Sequence, residues 1–318
     1  MSPESKTDPS GDVDLQSLAS KAANLALRAQ VCSALRDFFT RRGYLEVETP
    51  FMVPAPAPEP YIDAVSAGGM FLHTSPELCM KRLLAAGYSK IFQICKCFRA
   101  GERGSLHIPE FTMLEWYRSG CGYRSLMNET EALICAVSDG LKAGRRIFFS
   151  GKTVDMNPPW PRISVKEAFA RHSTVSLEDA IQEDLFDEIM VRDIEPRLGI
   201  EKPAFLCDYP ASMAALARTS PTDHSVAERF ELYIGGMELA NGFSELTDPV
   251  EQETRFIEAE TMRRKVGKPP YPKPVKFLEA LAHMPEAAGI ALGVDRLVMV
   301  FSNTNEIADV VTFTPEDL

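Results

Sequence analysis

No apolar run in the 318-residue chain approaches the roughly 20 residues that span a bilayer. Residues 1–14 are polar and acidic, with no basic start leading into an apolar stretch. They read as a short disordered tail and not as a secretory leader, so a cytoplasmic location is expected. Cysteine is sparse and scattered: seven residues (Cys32, Cys79, Cys95, Cys97, Cys121, Cys135, Cys207), an odd number with no Cys-x-x-Cys pair. Cys95 and Cys97 would share one face of a strand, with no further metal ligand beside them in sequence. Buried free thiols in a reducing compartment are therefore expected. Base is outnumbered by acid, 34 Lys and Arg against 45 Asp and Glu, a net charge of −11. That disfavours broad non-specific nucleic-acid binding. Internal repeats and linker-like composition are also absent, so residues 15–318 are expected to form one domain.

What is present is a soluble, globular composition, 45% hydrophobic and 25% charged, and a patterned chain. Lys81, Arg82, Lys90, Lys96, Arg99 and Arg103 gather within a short span, which suggests one cationic pocket for a nucleotide on an acidic body. Residues 15–42 carry Leu18, Leu25, Val31, Leu35, Phe38 and Phe39 at helical spacing up to Gly43, predicting one long amphipathic helix or two. Residues 44–50 alternate as a strand, and five prolines between 50 and 60 impose an irregular loop. Ser75 reads as the cap of a helix that has Pro76 at its first position and runs to Gly87. Residues 90–99 and 111–118 alternate as strands, and Ser164 with Glu167 forms a capping box. Residues 142–206 read as an inserted helical piece, 204–209 as a strand, and 230–240 as a hairpin around Gly235-Gly236. Residues 289–292 form a short strand running into a helix at 294–301. Strands joined mostly by hairpins, with helices around them, predict an α+β fold with an antiparallel sheet.

Three stretches carry candidate chemistry. In the first, residues 98–117, alternation puts Phe111, Met113, Glu115 and Tyr117 on one face and Thr112, Leu114 and Trp116 on the other. Glu115 between Leu114 and Trp116 needs a cation if buried, and Arg99 ends the partner strand. A guanidinium can hold phosphate and carboxylate bidentately; the same residues also suit a structural Arg99–Glu115 ion pair. In the second, a two-residue turn pairs Ile234 with Met237 and Tyr233 with Glu238, leaving Glu231 diagonal to Glu238 on one face. Magnesium carrying ATP phosphates would relieve two such carboxylates; a solvated acidic face is the alternative. Glu245, with Asn241 nearby, could cap an ammonium group. In the third, Gly293-Val294-Asp295-Arg296 turns from strand to helix. Arg296 sits unfavourably in the first helical turn unless an anion offsets it, although such turns are common.

In this order the three stretches resemble motifs of the class II aminoacyl-tRNA synthetases. Residues 41–50 resemble motif 1. Phe98-Arg99 with His107 and Pro109-Glu110-Phe111-Thr112-Met113-Leu114-Glu115-Trp116-Tyr117 resembles motif 2, and Gly293-Val294-Asp295-Arg296 resembles motif 3. Glu238-Leu239-Ala240-Asn241-Gly242-Phe243-Ser244-Glu245 resembles the lysine branch: the lysyl-tRNA synthetases and their shortened relatives that join (R)-β-lysine to elongation factor P. The resemblance runs from about residue 20 nearly to the end. It implies an ATP-dependent, adenylate-forming ligase with Mg2+, acting as a homodimer. Arg99 and Arg296 would be catalytic, Arg99 bridging substrate carboxylate and α-phosphate. ATP would meet Arg99, Glu102, His107, Phe111, Glu238, Leu239, Gly293 and Arg296, while Glu231 and Glu238 would hold magnesium. Ser75, Pro76, Glu77, Glu115, Tyr117, Asn241, Phe243, Glu245 and Ala291 would surround lysine or (R)-β-lysine.

Three features favour the shortened relatives, with elongation factor P and not tRNA as acceptor. Only a short tail precedes motif 1, where the tRNA enzymes carry an anticodon-binding domain. Ser75 stands where lysyl-tRNA synthetases typically have alanine, and Ala291 where they have glycine. One such methylene-sized change discriminates by about 1–3 kcal/mol. A tRNA-charging enzyme and a non-catalytic regulatory paralogue are the rival readings. The latter is motivated by a departure: both families usually show Arg-Asn-Glu in motif 2 and an asparagine before its proline. Here Arg99-Ala100-Gly101 and Ile108 stand instead, with Glu102 one residue further on.

Overall fold

The computed structural model describes residues 9–318, with side chains from residue 15. The tail expected over residues 1–14 lies mostly outside this range; the first described helix, Pro9–Ser20, begins within it. The long helical pattern divides into that helix and Ala22–Arg41. No helix among the described residues is long and apolar enough to cross a membrane.

At the centre is an eight-stranded sheet. Its six middle strands, Lys90–Phe98, Glu110–Ser119, Ala287–Gly293, Met237–Ser244, Val226–Ile234 and Ala204–Pro210, run antiparallel to their neighbours in that spatial order. The expectation of an antiparallel sheet needs correcting at both edges, where Leu45–Glu46 pairs parallel with residues 91–92 and Arg162–Ser164 pairs parallel with residues 205–207. The strand read over 44–50 is thereby reduced to two residues. The supposedly helical 142–206 segment also holds strands at Arg146–Phe149, Lys152–Asp155 and Arg162–Ser164. Its helices nevertheless have a core of their own, built on Phe169, Phe186, Ile189 and Ile194, and the capping box on Ser164 is made as read.

The two faces of the sheet divide the labour. On one, the even-numbered Phe92, Leu114 and Trp116 meet Phe39 from helix Ala22–Arg41, and helices Tyr123–Gly140 and Val294–Ser302 pack beside it. Phe39 stacks on Phe92 at 4.8 Å and 18° and meets Tyr44 edge-on at 5.1 Å. Aromatic contacts of this kind add to the burial energy of the rings. The opposite face carries Glu115 and Tyr117 and is backed by helices Glu77–Ala85 and Val275–Leu281. Because a strand alternates, the apolar even residues are what turn the polar odd residues toward the second face.

One irregularity sets the site. The hairpin turn pairs Ile234 with Met237 and Tyr233 with Glu238 as read, but the register then slips, so that Leu232 faces Ala240 and Glu231 faces Asn241. Leu239 is the extra residue of a β-bulge. Positive φ at Gly235 and Gly236, 62° and 83°, is what the tight two-residue turn requires. Strict alternation would place Glu238 and Asn241 on opposite faces; the bulge puts both on the same one.

Phe39→Ala should lower unfolding free energy by about 3–5 kcal/mol, read from denaturant midpoints. A loss under about 1 kcal/mol would show that this aromatic cluster does not anchor the first helix to the sheet.

Candidate active site

Two adjoining cavities open on the polar face. The outer one, about 350 Å³, is walled by Arg99, Glu102, His107, Phe111, Arg229, Glu231, Glu238, Leu239, Gly293 and Arg296 among others. The inner one, about 90 Å³, is walled by Ser75, Glu77, Glu115, Tyr117, Asn241, Phe243, Gly289 and Ala291. Arg99, Glu59, Met113, Asn241 and Ala291 line both. Apart from Pro76 and Glu245, each residue singled out from the sequence as a site residue lines one cavity or the other. Pro76 precedes the helix Glu77–Ala85 without a side-chain capping bond, and Glu245 lies buried behind the inner cavity against Lys81.

Cation placement differs from the sequence expectation. Of the six cations between residues 81 and 103, only Arg99 lines the outer cavity. Lys81 is buried between carboxylates, Lys96 pairs with Glu110 and Arg103 with Glu316. The outer cavity instead gathers Arg99, Arg229 and Arg296 from three separate segments, a convergence that proximity in sequence does not reveal.

Arg296 is fixed by its neighbours. Its Nη1 donates to the Glu238 carbonyl at 2.8 Å and lies 3.4 Å from the Glu238 carboxylate. Its Nη2 lies 2.6 Å from His107 Nε2. A guanidinium only donates, so Nε2 accepts and the proton of a neutral His107 sits on Nδ1. Burial, and then the Arg296 charge, holds His107 below the usual imidazole range. The helix carrying Arg296 is pinned by buried Asp295. This carboxylate pairs with Arg28 at 2.5 Å and accepts the Thr112 backbone N–H at 2.8 Å. Asp295 and Arg28 were not singled out in the sequence, although a carboxylate in the first turn of a helix is a favourable placement.

Arg99 does not pair with Glu115. Its Nη1 lies 3.6 Å from Glu102, and its guanidinium covers the Phe111 ring at 5.0 Å. Glu102, displaced by one residue from the familiar motif position, thus still reaches the cavity wall. Ile108, the other departure, is 7% exposed and belongs to the apolar core.

Around the outer cavity three carboxylates approach one another. Glu231 accepts from Arg229 at 2.7 Å, Tyr209 at 2.5 Å and Tyr233 at 2.7 Å. Burial, and then the neighbouring Glu231, raises Glu238. Glu195, unnoticed in the sequence, is pushed up to about 7 by burial and then by Glu231 and Glu238. Mutual repulsion of this sort is what a divalent cation relieves, and a carboxylate's roughly four lone-pair sites leave Glu231 one and Glu238 more. The donor set therefore fits a hard cation.

The inner cavity is more acidic still. Lys81, 1% exposed, lies 2.6 Å from Glu77 and 2.5 Å from Glu245. Glu115, equally buried, accepts from Ser75 Oγ at 2.6 Å and from the Tyr117 hydroxyl at 2.9 Å. Burial and then Glu77 push Glu115 up to about 8, and burial raises Glu245 despite the Lys81 ammonium. Glu245 Oε1 has no hydrogen-bond partner. Two carboxylates thus share one ammonium while a third, Glu115, has no cation beside it, an arrangement complementary to added positive charge. Ser75, read as a helix cap, does accept the Glu77 N–H at 3.0 Å while it donates to Glu115. The backbone of Gly289 makes the crowding possible. A Cβ there would lie 2.2 Å from the Tyr117 ring and 2.5 Å from Glu245 Oε1.

A family model described as tRNA synthetases class II (D, K and N) matches residues 13–317. The Elongation factor P--(R)-beta-lysine ligase of Pectobacterium carotovorum subsp. carotovorum (strain PC1) is 42% identical over 318 residues, 94% of this chain and 97% of that relative. Proteins of the same name from Erwinia tasmaniensis and Proteus mirabilis are 42% and 41% identical. They cover 92% of this chain in each case and 95% and 94% of their own lengths.

A carboxyl raised in the folded state binds more protons than the unfolded chain, so stability falls as pH climbs from its usual 4.5 toward about 8. Glu115→Gln removes that dependence. Denaturant unfolding should show the variant gaining on the native chain between about pH 6 and about pH 8.5. A gap that stays constant across that range would mean Glu115 is ionised throughout.

Proposed function

The chain belongs to the class II tRNA synthetases of the D, K and N type, and from that premise we propose that it is an ATP-dependent ligase that activates a lysine-type amino acid and passes it to a protein lysine. The observation that carries this reading is the pairing of the two cavities. An acidic inner chamber suited to a diamine adjoins an arginine-lined outer one suited to a nucleotide, with Arg99 at their junction. The names of the relatives support (R)-β-lysine as the amino acid and elongation factor P as the acceptor.

In the first step a carboxylate oxygen of the amino acid attacks the α-phosphorus of ATP. A new C–O–P linkage forms, and the bond to the β-phosphate oxygen breaks to release pyrophosphate. Arg99 donates to both reacting partners, holding carboxylate and phosphate in line and offsetting charge as it develops. Arg296, steadied by Glu238 and His107, offsets charge on the polyphosphate. Glu115, Glu245 and Glu77 meet the amino groups, with Ser75, Tyr117, Asn241 and Phe243 shaping the chamber and Ala291 narrowing it. Glu231 and Glu238 would hold Mg2+, which would supply charge neutralisation for the phosphates. In the second step the acceptor amine attacks the activated carbonyl. An amide forms, its nitrogen loses a proton, and AMP leaves. We assign the reaction to the cytoplasm and to a homodimer, with tRNA outside its acceptor range.

Substrate-dependent ATP–pyrophosphate exchange with α-lysine and with (R)-β-lysine tests the first step. Intact mass of elongation factor P incubated with the enzyme tests the second. Exchange with either isomer and a one-residue mass gain are expected, and Arg99→Ala should lower exchange about a hundredfold to a thousandfold. Charged tRNA with unmodified elongation factor P would overturn the acceptor. No exchange with either isomer would overturn the activity.

A further inference from the structure

The polar face holds a second cluster that ATP-dependent ligation does not use. His73, Cys95 and Cys97 are all buried, at 2%, 7% and 0% exposure, and their ligand atoms lie within 4.8 Å of one another. Cys95 and Cys97 share a strand face as their spacing requires. His73, 22 residues before Cys95 in the chain, arrives from the segment just after strand Met70–Leu72.

The imidazole is set as a ligand. Its Nε2 lies 2.7 Å from the Lys96 carbonyl oxygen, which can only accept, so the ring proton is on Nε2. That leaves Nδ1 with a bare lone pair, buried and without a hydrogen-bond partner, beside two thiols. A backbone carbonyl on one imidazole nitrogen and a metal on the other is the arrangement that orients metal-binding histidines. Met113 and Phe111 stand across the sheet from Cys95 and Cys97, with Ala291 alongside, and Gln93, Glu115 and Arg99 are near enough to act on the thiols. Two thiolates and one imidazole neutralise a divalent ion, which a buried setting demands. Sulfur and imidazole ligands select a thiophilic ion over magnesium.

We infer that His73, Cys95 and Cys97 form a binding site for a thiophilic divalent cation of the zinc class, separate from the carboxylates that face the nucleotide cavity. Binding replaces the two thiol protons with metal–sulfur bonds and releases both protons to solvent. Ions reach the site from the cavity of about 240 Å³ that His73 lines together with Ser75, Leu78 and Cys79. Since Ser75 and Glu77 lie two and four residues after His73, the ion ties the segment bearing two inner-cavity residues to the sheet.

The test uses the full chain, stripped with chelator and titrated with Co2+ alone, followed by Zn2+. One equivalent of Co2+ should develop thiolate-to-cobalt charge-transfer absorption, and Zn2+ should abolish it. Cys95→Ser, Cys97→Ser and His73→Gln should each weaken that species by more than the roughly 10–100-fold expected for an outer-shell change, while Cys32→Ser leaves it intact. Zn2+ should raise the thermal midpoint of the native chain and not that of Cys97→Ser, whose metal-free midpoint reports whether it folds. Cobalt bound without sulfur absorption marks the carboxylate site only and overturns the inference. Unchanged binding by Cys95→Ser, or no binding beyond the carboxylates, does the same.

Discussion

The constraint on which the rest of the site depends is the excess of carboxylate over ammonium in the inner cavity. Glu77 and Glu245 pair with the buried Lys81, and Glu115, buried beside Glu77, has only Ser75 and Tyr117 as partners. One buried cation cannot satisfy three buried anions, so the chamber keeps Glu115 largely protonated near neutral pH. Holding these groups together is costly for the fold, and the surrounding residues are chosen accordingly. Gly289 makes room for Tyr117 and Glu245, and Ser75 and Tyr117 donate to Glu115. A ligand bearing amino groups converts that cost into binding energy. A neutral amino acid would leave the carboxylates unpaired, and selectivity of this kind is strong because buried polar groups penalise the wrong ligand.

The outer cavity applies the same logic with opposite signs mixed. Arg99, Arg229 and Arg296 line it together with Glu231 and Glu238, with Glu195 close behind, a set complementary to both phosphates and a hard cation. The β-bulge at Leu239 connects the two chambers. By shifting register between Glu238 and Asn241 it lets one strand present a carboxylate to the outer cavity and an amide to the inner one. On the far face, Phe39, Phe92 and Trp116 fix which side of the sheet each residue takes.

Much of this was legible in the residues. Alternation alone separated Glu115 and Tyr117 from Leu114 and Trp116, and the Gly235-Gly236 turn gave the first two hairpin pairs. The slip beyond them was not legible, because a bulge arises from packing across strands and not from strand composition. Parallel pairing at the sheet edges was missed for the same reason: the partners are far apart in sequence. Resemblance supplied roles for Arg99, Arg296, Glu231 and Glu238 that spacing left open. The cationic cluster was misread because Lys81 lies near Arg99 in sequence but points into carboxylates on another part of the face. Arg229, Glu195 and Glu59 gave no local signal. Glu59 lies in the proline-rich loop, yet it lines both cavities and is pushed up to about 7 by burial, in spite of the nearby Arg99. Cys95 and Cys97 had no metal ligand beside them in sequence, and only the chain crossing brings His73 to them.

The claim that an acidic chamber awaits a diamine is tested most directly by calorimetric binding of (R)-β-lysine near pH 7 in two buffers of different ionisation enthalpy. If Glu115 is held at about 8 in the empty chamber, the arriving ammonium groups ionise it, and protons must be released on binding. The account predicts net proton release that is smaller in Glu115→Gln, the remainder coming from Glu245, which burial also raises. Binding with no proton release, or with uptake, would contradict it.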